Sequence, residues 1–323
     1  MKRIGNLYER VCEPDNIYLA YTKARKGKTK SYGVVQFEKE LERNLEEIHE
    51  KLKDGSYRTS EYQTFFIHDP KEREIYRLPF KDRVVQHAIM NILEDVWTPI
   101  FISQSYSCIK GRGIHGALKT LRRDLKDENG TAYCLKMDIR KFYQSVDHEV
   151  LKLIVRRRIK DERLLLLLDG IIDLAPGIPI GNYLSQFFAN LYLSYFDHWL
   201  KEDKKVRYYY RYADDMVILY SDKKNLHTLK DEIREYLKNV LKLELKDNWQ
   251  IFPVGKRGID FIGYVFYHDH VKMRKRIKKN FCRKAAILNK RETTEKEKHC
   301  ALSSWLGWAR HCDSRNLIKK ILK

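Results

Sequence analysis

The chain has 323 residues, and its 64 Lys and Arg residues outnumber its 44 Asp and Glu residues, which gives a formal net charge of +20 at pH 7. With 43% hydrophobic residues it can form a buried core, which excludes a disordered basic tail protein. No apolar run approaches the roughly 20 residues that cross a bilayer, so we expect no membrane contact and, without a secretory signal, a cytoplasmic location. Composition therefore predicts a folded protein with an anionic partner.

The N-terminal part is predicted to be mainly helical. Residues 23–30 form a basic loop, and apolar residues recur at helical spacing over residues 37–52. Aromatic and β-branched residues alternate with polar ones over residues 57–77, which indicates an extended hairpin. Asp82 can cap the helix that follows, and residues 119–126 have the pattern of a further helix.

The centre of the chain alternates strand and helix patterns. Their order, β-α-β-β-α-β, resembles a ferredoxin-like antiparallel sheet with helices on one face. The predicted elements are a strand at 133–139, helices at 150–168 and 184–200, strands at 207–212 and 216–220, a helix at 226–241 and a hairpin at 258–267.

The composition changes after His268. Residues 270–291 contain no acidic residue and ten basic ones, so the segment repels itself unless a polyanion neutralises it. Apolar residues at helical spacing continue to the end, which predicts a small, basic, helical domain. A solvated charged helix is the alternative to nucleic-acid binding. The predicted phosphate contacts are Lys272, Arg274, Lys275, Arg276, Lys278 and Lys279.

Three acidic residues stand out against the positive charge of the chain. Asp138 ends a strand pattern, and Asp214 and Asp215 lie between two strand patterns, as in a tight hairpin turn. An Asp pair is common in turns for structural reasons alone, but the apolar flanks and a further acid at a strand end favour a polymerase palm. Close carboxylates repel one another, and divalent cations relieve that repulsion. Two Mg²⁺ ions about 4 Å apart support phosphoryl transfer, so we expect such a site here.

These motifs resemble those of reverse transcriptases. Tyr212-Ala213-Asp214-Asp215 is similar to the YxDD box, and residues 137–148 are similar to the first catalytic motif. Blocks at 73–87 and 105–116, and the primer-grip segment 261–264, follow in the family's order over roughly residues 55–268. The resemblance implies an α+β right-hand polymerase fold with a ferredoxin-like (RRM-like) antiparallel palm sheet. The implied domains are fingers at 1–130, palm at 131–268 and a small basic helical thumb at 269–323.

The resemblance also assigns the catalytic metal ligands. Asp138, Asp214 and Asp215 would bind the two Mg²⁺ ions, with the carbonyl of Ile139 also facing the site. The chain would act on dNTPs, a template RNA and the RNA/DNA hybrid.

Basic and aromatic residues are expected to bind the incoming nucleotide. Arg83, with Arg77 or Lys81 near it, would clamp the triphosphate; which of these makes the contact stays open, and for Arg83 an ion pair with Asp82 or Glu94 is the alternative. Tyr143 stands where the family's steric gate blocks a ribose 2′-hydroxyl, and a core aromatic is its alternative role.

Contacts to template and primer are expected elsewhere in the matched blocks. The expected nucleic-acid-binding residues outside the thumb are Lys110, Arg112, Ser185, Gln186, Gly263 and Tyr264.

One segment departs from the pattern of intron and retron enzymes. Ile180 precedes Gly181 where those enzymes have Gln, and Ser185 is followed by Gln186 where Pro is common. This arrangement, with residues 248–254, resembles the reverse transcriptases of diversity-generating retroelements, although simple packing is an alternative role for Ile180. The likeness implies error-prone cDNA synthesis opposite template adenines, with a small basic accessory protein as partner. From this length we expect neither an endonuclease nor an RNase H domain in the same chain.

Two alternative functions stay open. One is a retron, group II intron-like or phage-defence reverse transcriptase of ordinary fidelity, against which Ile180 and the Ser185-Gln186 pair speak. The other is a non-catalytic RNA-binding protein of polymerase shape, against which the three intact acids speak.

Overall fold

The computed structural model describes residues 2–68, 72–291 and 294–321. Its helices are α1 (Tyr8–Cys12), α2 (Pro14–Arg25), α3 (Tyr32–Glu38), α4 (Leu41–Lys53), α5 (Phe80–Trp97), α6 (Ile114–Asp124), α7 (Phe142–Ser145), α8 (His148–Arg156), α9 (Glu162–Ile172), α10 (Tyr183–His198), α11 (Lys223–Leu241), α12 (Val254–Arg257), α13 (Lys275–Asn289), α14 (Glu295–Ala309) and α15 (Arg315–Ile321). Its strands are β1 (Gln63–His68), β2 (Glu72–Arg77), β3 (Tyr133–Asp138), β4 (Tyr208–Tyr212), β5 (Asp215–Tyr220), β6 (Gln250–Pro253), β7 (Ile259–Phe261), β8 (Tyr264–Phe266) and β9 (Val271–Met273).

The chain forms two compact units that interleave along the sequence. The first comprises Met1–Ser103, Ile139–Asp203 and Glu235–Glu244, and the second comprises Gln104–Asp138, Lys204–Arg234 and Leu245–Lys323. The division into fingers, palm and thumb stays a prediction. Within the described residues, no helix combines the length and the apolar character that a membrane span requires.

The first unit is built around α5. Its buried residues include Val84, Val85, Ala88 and Ile89, which lie on more than one side of the helix. The helix packs against α2 and α10. In the same unit β1 and β2 pair as an antiparallel hairpin, which confirms the predicted hairpin.

Two predicted helices are each divided in the structure. Residues 150–168 form α8 and α9, because Asp161 caps a new helix by accepting a hydrogen bond from the Leu164 amide. Residues 37–52 likewise belong to α3 and α4, which are separated at Lys39 and Glu40. Apolar periodicity continued across both breaks, so it did not reveal them.

The second unit contains the central sheet, whose strand order is β4-β5-β3-β6 with every pair antiparallel. In chain order this is 2-3-1-4, the ferredoxin-like arrangement that the sequence predicted. The fourth strand is β6, however, and not the predicted hairpin at 258–267. That hairpin forms β7 and β8, which pair with β9 in a separate sheet. A four-residue strand ending at Pro253 is too short for alternation to identify it.

The core of the second unit lies between these sheets and α6. Cys134, Val217 and Phe252 from the central sheet share one buried cluster with Leu118 and Phe261. The C-terminal helices have a cluster of their own, which includes Phe281, Leu302 and Leu306. The helices α13, α14 and α15 contribute to this cluster, and their assignment to a separate domain stays a prediction.

Candidate active site

The three predicted metal ligands meet at one end of the central sheet. Asp138 is the last residue of β3 and Asp215 is the first residue of β5, and the two are direct cross-strand partners. Asp214 precedes Asp215 in the turn between β4 and β5, where Ala213 has a positive φ of 55°. Local turn geometry and strand register thus place the three acids at the same end of the sheet, and their role as metal ligands stays a prediction.

The carboxylates repel one another in this position. Burial, together with a hydrogen bond to Asp138, raises the pKa of Asp214. Burial raises the pKa of Asp215 to about 6, even though the Lys136 ammonium opposes the shift. A hydrogen bond between two carboxyl groups requires a proton on one of them. The cluster is therefore stable only with a shared proton or with added positive charge.

Two lysines supply part of that charge. The Lys246 ammonium contacts the Asp138 carboxylate. The Lys136 ammonium lies 3.7 Å from Oδ1 of Asp215 and also contacts the carbonyl of Asp260. The side chains of Asp138 and Asp215 keep about a third of their surface exposed (32% and 33%), so larger partners can still approach them.

The donor atoms fit a hard divalent cation. Oδ1 of Asp138 and Oδ1 of Asp215 are buried and have no hydrogen-bond partner among the described residues. Carboxylate oxygens are the ligands that Mg²⁺ prefers. In the described part of the chain, no group of three or more His, Cys, Asp or Glu side chains is placed so that it could hold a metal ion, so the fit concerns the chemistry of the donor atoms. The ammonium groups of Lys136 and Lys246 lie near two of the three acids and offset part of their charge.

The predicted triphosphate-binding residues lie together in the first unit. Arg77, Lys81 and Arg83 line one cavity of about 830 Å³, and Lys28 lies at the same cavity. Burial and the nearby Arg77 guanidinium lower the pKa of Arg83. Such crowding of cations favours an anionic ligand.

The Asp82 carboxylate has hydrogen-bond partners other than its neighbour Arg83. It accepts hydrogen bonds from the Tyr57 hydroxyl at 2.6 Å and from the Ser60 amide at 3.2 Å. Asp82 is fully buried with these partners, while Arg83 lines the cavity. The geometry thus favours the anion-binding role of Arg83 over the alternative ion pair with Asp82.

The candidate steric gate and its neighbour occupy different surroundings. Phe142 is buried in the core, whereas Tyr143 is only half-buried. The Tyr143 carbonyl accepts a 2.6 Å hydrogen bond from the Ile178 amide. Phe142 is thus the more buried aromatic of the pair, and the steric-gate role of Tyr143 stays a prediction.

The segment that departs from the intron pattern lies against β2. The Ile180 carbonyl accepts a 2.8 Å hydrogen bond from the Tyr76 amide. Gly181 has a φ of +119°, and a Cβ there would lie 2.8 Å from the Tyr76 carbonyl oxygen, so only glycine allows this approach. Ile180 and Gly181 are thereby held beside Arg77, the next residue of β2.

A comparison with known families agrees with this geometry. Residues 67–266 match the family described as reverse transcriptase (RNA-dependent DNA polymerase). The chain belongs to this reverse transcriptase family. The match includes all three acids and every predicted nucleotide-binding residue.

Two bacterial proteins are among the relatives of this chain. Protein YkfC of Escherichia coli K12 is 27% identical over 267 residues, which cover 68% of this chain and 70% of YkfC. The group II intron-encoded protein LtrA of Lactococcus lactis subsp. cremoris is 24% identical over 337 residues, which cover 80% of this chain and 56% of LtrA. This reverse transcriptase thus has group II intron-encoded relatives, and it spans little more than half the length of LtrA.

A solved structure shows the fold class. Telomerase from Candida albicans, in complex with a TWJ fragment of telomeric RNA, has a TM-score of 0.51 and 12% sequence identity, covering 84% of this chain and 57% of the telomerase. This reverse transcriptase therefore has the right-hand polymerase fold.

The predicted nucleic-acid-binding residues differ in their exposure. Lys110 and Gln186 are exposed, whereas Ser185 is buried in α10. Arg112 is half-buried and donates a 3.1 Å hydrogen bond to the Ser105 carbonyl. Arg112 therefore has a structural contact in addition to any contact with nucleic acid.

The primer-grip segment is packed against the C-terminal helices. The Tyr264 ring is fully buried, and its hydroxyl donates a 3.1 Å hydrogen bond to the Trp308 carbonyl. A Cβ at Gly263 would lie 2.5 Å from the Trp308 ring. A contact from this segment to a primer would therefore come from the backbone and not from the Tyr264 ring.

The basic C-terminal residues lie on a strand and a helix. Lys272 belongs to β9, and Arg274 immediately precedes α13 and donates to the Asp260 carboxylate at 2.6 Å. The remaining predicted cations form an exposed row on the first turns of the helix. They are Lys275, Arg276, Lys278 and Lys279.

Three residues at the site were not identified from the sequence. Lys136 shares a strand face with Asp138, two residues away, so the alternation of β3 contained the signal. Arg211 lies in the predicted strand beside the acidic motif, but no pattern there distinguished it from its neighbours. Lys246 belongs to no recognised motif, and its position follows from a long-range contact that the sequence pattern does not show.

Proposed function

We propose that this reverse transcriptase copies a template RNA into DNA from a primer and dNTPs. The observation that carries the proposal is the cross-strand pairing of Asp138 with Asp215, with Asp214 next to Asp215 in the turn between β4 and β5. Two buried strands fix these carboxylates in a polymerase sheet. Oxygen ligands held in this way serve a nucleotidyl transfer that needs cations at the reacting phosphate.

Separate groups of residues have separate roles in the proposed reaction. Asp138, Asp214 and Asp215 would hold two Mg²⁺ ions, with the Ile139 carbonyl as a further donor beside Asp138. When bound, the ions supply activation of the primer hydroxyl and stabilisation of the leaving phosphate oxygen. The other residues of the proposed site bind and orient the nucleotide and the nucleic acid.

The cavity cations and the candidate gate would hold the nucleotide. Arg83 and its neighbours Arg77 and Lys81 neutralise the triphosphate, because guanidinium groups pair with phosphate oxygens in fixed geometry. Tyr143 excludes the 2′-hydroxyl by its bulk. The exposed cations of α13 follow the backbone of the template–primer hybrid, which makes binding salt-dependent. This proposal keeps the domain boundaries expected from the sequence, with fingers at 1–130, palm at 131–268 and thumb at 269–323.

Primer extension tests the proposal. On a primed RNA template with dNTPs and Mg²⁺, we expect the double variant Asp214→Asn/Asp215→Asn to lose about 1,000-fold or more of the rate, because the cation ligands are removed. The matched control is Asp269→Asn, an exposed acid paired with His270. Synthesis by the double variant at the parent rate would overturn the assignment. Binding of RNA without synthesis by the parent, with the native RNA and accessory protein supplied, would favour the non-catalytic alternative.

We further propose that the product is an error-prone cDNA in a diversity-generating retroelement. Ile180 supports this, since its backbone is fixed on β2 and its side chain offers no hydrogen bond to a nascent base pair. Loss of one such contact costs on the order of 1–3 kcal/mol of discrimination. A small basic accessory protein is part of this proposal, and the cytoplasmic location stays a prediction.

Sequencing of the cDNA separates this proposal from its main alternative. The parent should misincorporate at template adenines, and Ile180→Gln should reduce these errors by about threefold or more. Ile180→Val, which keeps an apolar side chain, should leave the errors unchanged. Faithful copying by the parent would favour a group II intron-like enzyme, the alternative that the similarity to LtrA supports.

A further inference from the structure

Arg211 of β4 is an arginine with no exposed surface, three residues before Asp214. A guanidinium group stays charged at any pH at which the protein is folded, and its burial is costly unless its N–H groups find acceptors. Its place in the fold therefore needs a structural reason. One acceptor for its N–H groups lies in the turn that carries the two acids.

One guanidinium nitrogen of Arg211 donates a 3.1 Å hydrogen bond to the Ala213 carbonyl. Ala213 is the residue with φ 55°, a left-handed conformation that costs a non-glycine residue about 1 kcal/mol. The same carbonyl belongs to the peptide bond that leads into Asp214. Arg211 thus holds the strained peptide that sets the direction of the acidic turn.

The backbone of Arg211 is itself fixed from outside the hairpin. Its amide donates to the Gln104 carbonyl and its carbonyl accepts from the Tyr106 amide, both at 3.0 Å. Ser105 forms a parallel bridge with Arg211, and Arg112 donates to the Ser105 carbonyl. A continuous chain of contacts therefore runs from Arg112 to the turn.

We propose that Arg211 is a positioning residue that fixes the Tyr212–Asp215 turn so that the carboxylates of Asp214 and Asp215 face Asp138. The inference rests on the proposed function of that site. The planar fork of arginine suits this role, because one N–H group can bind a backbone carbonyl while the others bind different acceptors. Lysine keeps the charge but lacks the fork, and methionine keeps the length but lacks both.

Mn²⁺ titration followed by electron paramagnetic resonance tests the role without requiring DNA synthesis. We expect Arg211→Met to weaken Mn²⁺ binding by about tenfold and Arg211→Lys by about threefold, because the ligands no longer converge. Leu219→Ala, a buried substitution in β5 away from the turn, is the control for general loss of stability. It should lower the thermal midpoint and leave Mn²⁺ affinity within about twofold.

Primer extension gives the second readout. Arg211→Lys should lower kcat and leave the KM for the primed template unchanged, since α13 and the cavity are untouched. If Arg211→Met does not fold, Mn²⁺ titration and primer extension with Arg211→Lys test the inference. Mn²⁺ affinities of folded Arg211 variants equal to that of Leu219→Ala would overturn the inference. A parent that binds Mn²⁺ tightly but makes no DNA would overturn the proposed function and leave this inference to be judged by the Mn²⁺ titration.

Discussion

Lys246 is bound to Asp138 twice: its ammonium contacts the carboxylate, and its backbone amide donates a 2.9 Å hydrogen bond to the Asp138 carbonyl. About a third of each side chain is exposed, 31% for Lys246 and 32% for Asp138. The protein's own cation therefore lies on a carboxylate that the proposed chemistry assigns to a metal ion. Any divalent ion that binds Asp138 has to compete with this ammonium.

Replacement of Lys246 should therefore strengthen divalent binding. A partly exposed ion pair is worth roughly 1 kcal/mol, so we expect Lys246→Met to bind Mn²⁺ about fivefold more tightly than the parent, as measured by electron paramagnetic resonance. Lys242→Met is the control, because Lys242 pairs with Asp147 instead. Unchanged or weaker Mn²⁺ binding by Lys246→Met would show that the ammonium does not compete with the cation.

The sequence identified the acids of this site but not the lysine. Asp214 and Asp215 lie in a local turn, and their motif is short enough to be recognised in the printed sequence. Lys246 reaches Asp138 across 108 residues of chain. Lys246 and Asp138 are close only because distant segments of the chain contact each other. The periodicity of the sequence does not reveal that contact.

The fold shows the same limit. Alternation identified β3, β4 and β5, and their order predicted the ferredoxin-like sheet. The edge strand β6 was missed because its four residues are too few to establish a period. The break between α8 and α9 was missed because the side chain of Asp161, and not the apolar pattern, starts the second helix.

Tyr143 should determine whether the enzyme accepts ribonucleotides. Its half-buried ring supplies bulk, while Phe142 is the core residue. We expect Tyr143→Val to raise the incorporation of rNTPs relative to dNTPs by about tenfold or more, because a clash worth a few kcal/mol is removed. Tyr143→Phe keeps the ring and should keep the discrimination. Equal rNTP use by the Val variant and the parent in single-nucleotide extension would contradict the gate.

Gly177 should be intolerant of any side chain. It has a φ of +64°, and a Cβ there would lie 2.7 Å from the Gln144 carbonyl oxygen and closer still to that of Tyr143. Both obstacles are backbone atoms, which cannot rotate away. We expect Gly177→Ala to lower the free energy of unfolding by about 2–4 kcal/mol in urea titrations. Gly170→Ala is the control, since a Cβ at that helical position meets no atom within 4 Å. A loss no larger than that of the control would contradict the close approach.

His87 should make the stability of the protein sensitive to acid. Its ring stacks on Tyr183 with centroids 4.4 Å apart, and its buried Nδ1 has no hydrogen-bond partner within the described residues. Burial, with the nearby charges of Arg83, Lys23 and Lys28, lowers the pKa of His87 to about 4. An unfolded histidine titrates near pH 6.5. Between about pH 4 and about pH 6.5, His87 is therefore mostly protonated in the unfolded chain and mostly neutral in the folded chain.

The sign of the effect follows from that difference in proton binding. Because the unfolded state gains the proton, His87 destabilises the fold progressively as the pH falls from about 6.5 towards about 4. Partial exposure of the ring reduces the effect, so we expect His87 to account for about 1 kcal/mol of the stability lost between pH 7 and pH 5. Urea titrations at the two pH values should show that His87→Phe, which keeps the stack on Tyr183, loses correspondingly less than the parent. The exposed His299→Gln should behave like the parent; equal losses in the parent and in His87→Phe would mean that His87 is not the group that titrates.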